Sequence, residues 1–418
     1  MSNSETLPLA GIRVIDYSHF LAGPYLSRCL AALGAEVIKV ERPTTGDAGR
    51  QHAYFINGQS GYYLQQNMGK QGLCINLKDP RGLELMHKLV DTADVFVENY
   101  RPGALDKLGL GYEALSRRNP GLVYCSVSAY GHTGPDSHRA GFGLIAEAKS
   151  GIMAMVGKPG EAPPLLRIAL GDLYTGAHGV AAVCAALLGR VKSGKGRHID
   201  MALYDTLVSM HEYAIQGYTL SGGQEVPVQT GHDLPTSTLY GVFTATDGYL
   251  VIAAQVDDAW KRLARLVGGE AFAADTRFHS AAGRNAHRLE ILPVVRAWTE
   301  TRSVAECLAA LDAIDVPCAK VQRIDEVLQD PQIIAREVVT EHEHPVLGKV
   351  KLPNTPFRFS DCDTRQTVPA PLMGQHNRAI AQSLGYGTED IARLEAEGVL
   401  YAEAAVAAVA AEAAISKL

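Results

Sequence analysis

The stretch Ile168-Ala-Leu-Gly-Asp-Leu-Tyr-Thr-Gly-Ala-His-Gly-Val-Ala-Ala-Val-Cys-Ala-Ala-Leu-Leu-Gly-Arg190 sets one carboxylate, Asp172, at the mouth of an apolar, small-residue segment. The pattern predicts a helix from about Leu173 to Leu188. Asp is a favoured N-cap, and there the positive helix end favours its charged form. Asp172 is therefore expected to be ionised at neutral pH. An ionised carboxylate needs no base to act as a nucleophile toward an activated acyl group. The plainer role of an Asp before a helix is to cap it, and this segment alone does not separate the two.

Other chemistries find little support in the residue types. Seven cysteines, at 29, 74, 125, 184, 307, 318 and 362, are scattered, with no Cys-x-x-Cys pair and no telling His nearby. They read as buried thiols of a reducing compartment. His342-Glu-His344 is the tight His pair of the chain, and the Pro345 that follows predicts a surface loop, so no metal site is expected. No Gly-x-Gly-x-x-Gly follows the first predicted strand, which argues against a dinucleotide redox enzyme.

The elements that must position Asp172 alternate between strand and helix. Gly11–Tyr17, Glu36–Glu41, Gln71–Leu77, Asp94–Glu98 and Leu122–Val127 read as buried strands. Helices are predicted over Ala22–Leu33, closed by Gly34, and over about Arg81–Thr92. This alternation predicts an α/β fold: a Rossmann-like large domain with a parallel sheet covered on both faces. Ligands in such sheets bind beyond the carboxyl ends of the strands, where Ser18–Pro24, Arg42, Asn99–Gly103 and Ser128–Gly131 fall. Arg42, Lys78, Arg101 and Lys107 lie in or near these loops and could pair with phosphates.

At 418 residues the chain is expected to form two domains. Gly, Pro and Gln cluster around 217–235, and a hairpin turning at Asp247-Gly248 follows, then helices to about 328. The reading is a large domain over 1–215, a smaller α+β domain over 216–330, a return linker completing the large domain over 331–401, and an Ala-rich helical tail over 402–418. A 47% hydrophobic and 20% charged composition is that of a globular protein with a large core. The net charge of −6 offers no basic field, so no nucleic-acid partner is expected. No apolar run reaches membrane-spanning length, and the start shows no signal or transit pattern, so cytoplasmic residence is expected.

The motifs PLAGIRVIDYSHFLAGP, LGAEVIKVERPTTGD, INLKDPRG, FVENYRPGALDKLGLGY, SGKGRHIDMALYD and PLMGQH together resemble the family III CoA-transferases of the CaiB/BaiF type, from about Leu7 to Leu400. The resemblance implies acyl-CoA and small carboxylic acids as substrates, no metal, and an interlocked homodimer. The family's aspartyl nucleophile falls on Asp172, which would pass through a mixed anhydride and an aspartyl-CoA thioester. Family CoA contacts fall on Phe20, Arg42, the segment from Ile75 to Lys78, Asn99, Tyr100, Arg101 and Lys107.

Departures from subfamily patterns bear on the substrate. Leu21 stands where oxalate-using members carry Gln, and no glycine run occurs around 228–238, which disfavours formyl transfer to oxalate. The related 2-methylacyl-CoA racemases, the alternative reading, need a Gly-His-Asp triplet; here it is Gly141-Phe142-Gly143, and Phe cannot exchange a proton. Many members carry an acidic residue where Gly143 sits, and its absence suits an acceptor with a second anionic group. A third reading is a non-catalytic CoA-binding protein, against which the retained Asp172 argues. Succinyl-CoA with a short carboxylic or dicarboxylic acid is the expected pair, and His232 is either an acyl contact or a loop residue.

Overall fold

The computed structural model describes residues 7–406, so residues 407–418 of the predicted tail over 402–418 lie outside the described residues. Six strands form one sheet: β1 (Arg13–Tyr17), β2 (Glu36–Glu41), β3 (Lys70–Cys74), β4 (Val95–Glu98), β5 (Val123–Ser128) and β6 (Arg197–Ala202). Their order is β3-β2-β1-β4-β5-β6, and every neighbouring pair is parallel. Parallel neighbours need crossovers, supplied by helices such as Ala22–Ala32 and Pro80–Asp91. Strand and helix bounds fall within a few residues of the sequence reading. The strand begun at Gln71 stops earlier than predicted, at Cys74; Ile75 makes only an isolated bridge to Leu400.

The period of two along these strands sorts their side chains onto two faces. Ile15 and Tyr17, Ile38 and Val40, Leu73, Phe96 and Tyr124 build one apolar core with Leu85, Met86 and Leu89 of the Pro80–Asp91 helix. The opposite face carries Val14 and Val37, but also Asp16, Lys39 and Lys70, all buried. Two readings need correction. The sixth strand, Arg197–Ala202, carries Arg, His and Asp at the sheet edge and shows no apolar run, so it was not predicted. The 331–401 segment is not only a linker, because Val339–His344 and Gly348–Pro353 pair as an antiparallel hairpin. His342 and His344 therefore sit on a strand, two residues apart on one buried face, and not on a surface loop.

Contacts divide the chain into two compact units, one comprising residues up to 151, 166–212 and from 332 onward, the other 152–165 and 213–331. In the first unit the returning chain closes the sheet edge at β3. The His376 N–H donates to Gly72 O at 2.9 Å, the Gly72 N–H to His376 Nδ1 at 3.0 Å, and the Cys74 N–H to Asn377 Oδ1 at 2.8 Å. These bonds satisfy backbone groups that an open edge would leave unpaired. The second unit holds β7 (Asp233–Leu234), β8 (Ser237–Ala245), β9 (Gly248–Ala253) and β10 (Cys318–Lys320), in the order β10-β9-β8-β7 and antiparallel. Its β8–β9 hairpin pairs Ala245 with Gly248, as the Asp247-Gly248 signal predicts. Its core gathers Phe243, Leu250, Trp260, Phe278 and Val295. Among the described residues no helix is long and apolar enough to cross a membrane.

Asp172 is carried by the Leu170–Ser193 helix, whose glycines set how closely it approaches the Ala22–Ala32 helix. A Cβ on Gly176 would lie 2.9 Å from Ala22 O, and one on Gly179 would lie 2.3 Å from Leu26 Cδ1. The small residues that mark this helix in the sequence thus bring it against the helix that follows β1. Replacing Gly176→Val should push the two helices apart and lower stability by about 2 kcal/mol, read from the midpoint and slope of urea denaturation.

Candidate active site

Strand order reverses between β1 and β4, the position where open α/β sheets form a crevice at the strand carboxyl ends. The loops leaving these strands meet there. The His19 N–H donates to Asn99 Oδ1 at 2.8 Å, and Asn99 Nδ2 donates back to His19 O at 2.7 Å. A cavity of about 190 Å³ opens beside this clasp, lined by residues including His19, Phe20, Arg42, Asp47 and Tyr100. Tyr17 and His19 both lie against the Tyr100 ring, at 5.1 and 4.8 Å between centroids. The cavity thus offers an aromatic wall and an exposed guanidinium, Arg42, at the end of β2.

Phe20 holds a left-handed backbone, φ +62°, which is strained for a bulky residue. Asp47 holds it there: Oδ1 accepts the Phe20 N–H at 2.9 Å and the Gly49 N–H at 2.7 Å. The other oxygen pairs with Lys39 Nζ at 2.8 Å, and Lys39 donates to Ser18 O. Behind Lys39, Asp16 Oδ2 accepts from Lys70 Nζ at 2.8 Å and from Ser27 Oγ at 2.7 Å. Lys70 also donates to Pro24 O and Asn67 Oδ1. Burial alone would push the Asp16 carboxyl up, but Lys39 and Lys70 outweigh it and hold it far below the usual carboxylate range. Burial dominates at Lys70 and brings its ammonium down to about 8.

Asp172 is not the cap that the sequence predicts. The helix begins at Leu170, its N-cap position is Ala169 with no side-chain bond, and Asp172 is the third helical residue. The shift of its carboxyl also runs opposite to the one a helix end alone gives, although a value of about 6 still leaves it ionised at neutral pH. Burial, and then the charge of Glu147, push its carboxyl up to about 6, against only a lowering by its own backbone N–H. The helix end loses because Asp172 packs against the Gly143–Lys149 helix: a Cβ on Gly143 would sit 2.1 Å from Asp172 Oδ2. Glu147, one turn along that helix, is 2% exposed and accepts the Gly171 N–H at 3.3 Å. That N–H is therefore engaged and not free for an incoming acyl oxygen. The Tyr62 hydroxyl is pushed up by burial and then by the charges of Asp172 and Asp47. Phe142, beside Gly143, meets the Phe20 ring edge-on at 5.9 Å.

The other residues assigned to CoA by resemblance are spread out. Phe20, Arg42 and Tyr100 line the cavity, and Asn99 clasps its two loops. Arg101 lines a second cavity, of about 180 Å³, with Glu98, Tyr112, His132 and His198. Ile75 is fully buried in the core, with its N–H donated to Glu41 O. Lys78 and Lys107 are exposed. His232 is exposed in the second unit, where its carbonyl accepts the Val242 N–H, in keeping with a loop residue. Sequence reasoning missed Glu147, Asp47 and Tyr62. In Ala146-Glu-Ala-Lys149 the Glu looks like a solvated helix charge, and nothing local signals its burial.

Removing the cation under the site tests how much the loop depends on it. Lys70→Met should leave Asp16 short of its closest positive partner and cost about 3 kcal/mol or more, measured by chemical denaturation.

The family model for CoA-transferase family III matches residues 9–377. The chain is 35% identical over 395 residues to succinyl-CoA:glutarate CoA-transferase of Mus musculus, covering 94% of this chain and 90% of that protein. It is also 35% identical over 398 residues to succinyl-CoA–D-citramalate CoA-transferase of Chloroflexus aurantiacus, covering 94% of this chain and 98% of that protein. A CaiB/BaiF family protein from Brucella suis, solved as a crystal structure, superimposes with a TM-score of 0.80 at 35% identity, covering 90% of this chain and 99% of that one. With the family match running through most of its length, this chain is a member of CoA-transferase family III.

Proposed function

We propose that this enzyme moves CoA from succinyl-CoA to a short dicarboxylic acid through covalent intermediates on Asp172. The observation that carries the reading is the half-buried carboxylate in the first turn of the Leu170–Ser193 helix, backed by Gly143, whose neighbour Phe142 meets Phe20 of the cavity at the sheet's switch point. Relatives whose names specify succinyl-CoA with glutarate, D-citramalate or mesaconate support the substrate pair.

In the first step an Asp172 oxygen attacks the thioester carbon, the C–S bond breaks, and CoA leaves as thiolate, giving a mixed anhydride. The thiolate then attacks the aspartyl carbonyl and releases the donor acid, leaving an aspartyl-CoA thioester. The acceptor carboxylate attacks that thioester, and the thiolate finally collects the acceptor acyl group. Anhydride and thioester are similarly activated, so no external energy source enters. Water must be kept from both intermediates. The aromatic wall of Phe20 and Tyr100 supplies apolar cover there, and Arg42 supplies a cation for a CoA phosphate.

An interlocked homodimer, metal-free catalysis and cytoplasmic residence belong to the same proposal. Phe142, Leu144, Ile145, Leu188 and Val191 are large apolar side chains exposed on a single chain, which supports a second copy covering them. Seven unpaired cysteines suit a reducing compartment.

Asp172→Ala should reduce transfer by at least about a thousandfold while CoA still binds, and hydroxylamine should trap label on the peptide containing residue 172 only in the parent enzyme. Wild-type turnover in the alanine variant would overturn the covalent route. Gly143→Ala should displace the carboxylate, a flexible side-chain end, and lower kcat about a hundredfold with little change in Tm. Screening carboxylic acids against succinyl-CoA identifies the acceptor; deuterium uptake from solvent without any free acid would instead mark α-proton chemistry.

A further inference from the structure

A second carboxylate lies behind the nucleophile and has no place in the steps above. Glu147 is 2% exposed, and its Oε1 is fixed by the Gly171 N–H, the backbone donor immediately before Asp172. The two carboxylates come from helices that touch without a side chain between them, because Gly143 has none and Gly171 packs on Gly143 O and Leu207. We propose that Glu147 is a positioning residue that raises the energy of anionic Asp172 relative to its neutral acylated forms, so driving the enzyme toward the covalent state. This inference rests on the covalent role proposed for Asp172.

Charge displacement produces the effect. Before attack, the Asp172 carboxylate and Glu147 are like charges in a partly dehydrated site, where their repulsion is weakly screened. Attack moves the negative charge from the aspartyl oxygen to the departing sulfur, and no proton changes hands. The anhydride and the thioester are both neutral at position 172, so each relieves the repulsion. Glu147 touches no reacting atom and acts only through the energy of its neighbour.

Among the described residues, no cation acts on the Asp172 carboxyl. The groups coupled electrostatically to Asp172 are Glu147 from the Gly143–Lys149 helix and the Tyr62 hydroxyl, whose ring meets His52 at 4.8 Å. The Leu203–Ser209 helix presents Leu207 to Gly171, and the Ala22–Ala32 helix presents Tyr25 to Gly176. The raised Asp172 carboxyl, at about 6, agrees with this arrangement and sets the sign of the pH effect. Nucleophilic attack needs the anion, so kcat/KM should fall as pH drops through about 6.

The test compares Glu147→Gln, which keeps the acceptor for Gly171 and loses the charge, with Glu147→Met, which loses both. If charge is the cause, either variant should move the acid limb of kcat/KM down by on the order of one pH unit. Incubation with succinyl-CoA at neutral pH should then give an equilibrium constant for covalent enzyme, read by intact-protein mass, about tenfold lower than in the parent. An acid limb and a covalent equilibrium unchanged in whichever variant folds would overturn the proposal. A shift in Glu147→Met with none in Glu147→Gln would overturn it too, leaving only a hydrogen-bonding role. Covalent enzyme absent from the parent itself would instead remove the Asp172 reading on which it stands.

Discussion

Three charges buried on one face of the parallel sheet hold the functional end of this protein together. Asp16, Lys39 and Lys70 stand on three neighbouring strands and are all completely buried, at positions where such a sheet ordinarily carries apolar residues. Moving these ions out of water is costly, and mutual attraction compensates only when every group is satisfied. Here satisfaction is extensive: Asp16 receives Ser18, Ser27 and Lys70, and Lys70 reaches three acceptors. Two of the partners, Ser18 O and Asp47, belong to the loops that line the cavity. The cluster therefore couples strand register to loop geometry.

That coupling explains why a bulky residue can be held in a left-handed conformation at the site. Phe20 is strained, and the strain persists because Asp47 and the Asn99 clasp fix the Phe20 N–H and the His19 backbone that leads into it. The same loops carry the cavity's aromatic wall and its Arg42 guanidinium. A second kind of strain is electrostatic. Asp172 is pressed against Gly143 and sits beside Glu147, and among the described residues no cation acts on its carboxyl. Close packing and like charge thus meet on one side chain and raise its carboxyl.

The alternation of strand and helix through residue 128 was legible because buried parallel strands are short apolar runs and their crossovers are amphipathic. Arg197–Ala202 was not legible, since an edge strand with Arg, His and Asp carries no such run. The hairpin of Val339–His344 and Gly348–Pro353 escaped for a related reason: burial of His342 and His344 depends on which face the strand turns inward, and residue type argues against it. Asp172 itself stood out in the sequence, but its neighbours did not.

Chain order and residue type by themselves determined five of the parallel strands, the family and the loops that flank the crevice, and singled out Asp172, because these depend on periodicity and short motifs. Only the folded structure decided the direction in which the Asp172 carboxyl is shifted. A helix start in isolation favours the anion, whereas a packed one is governed by what lies across the interface, here Gly143 and Glu147 from a helix some thirty positions earlier. Likewise, Asp16, Lys39 and Lys70 look like ordinary charges until parallel pairing puts them on one buried face. Burial and charge neighbourhood are long-range properties, and no local pattern encodes them.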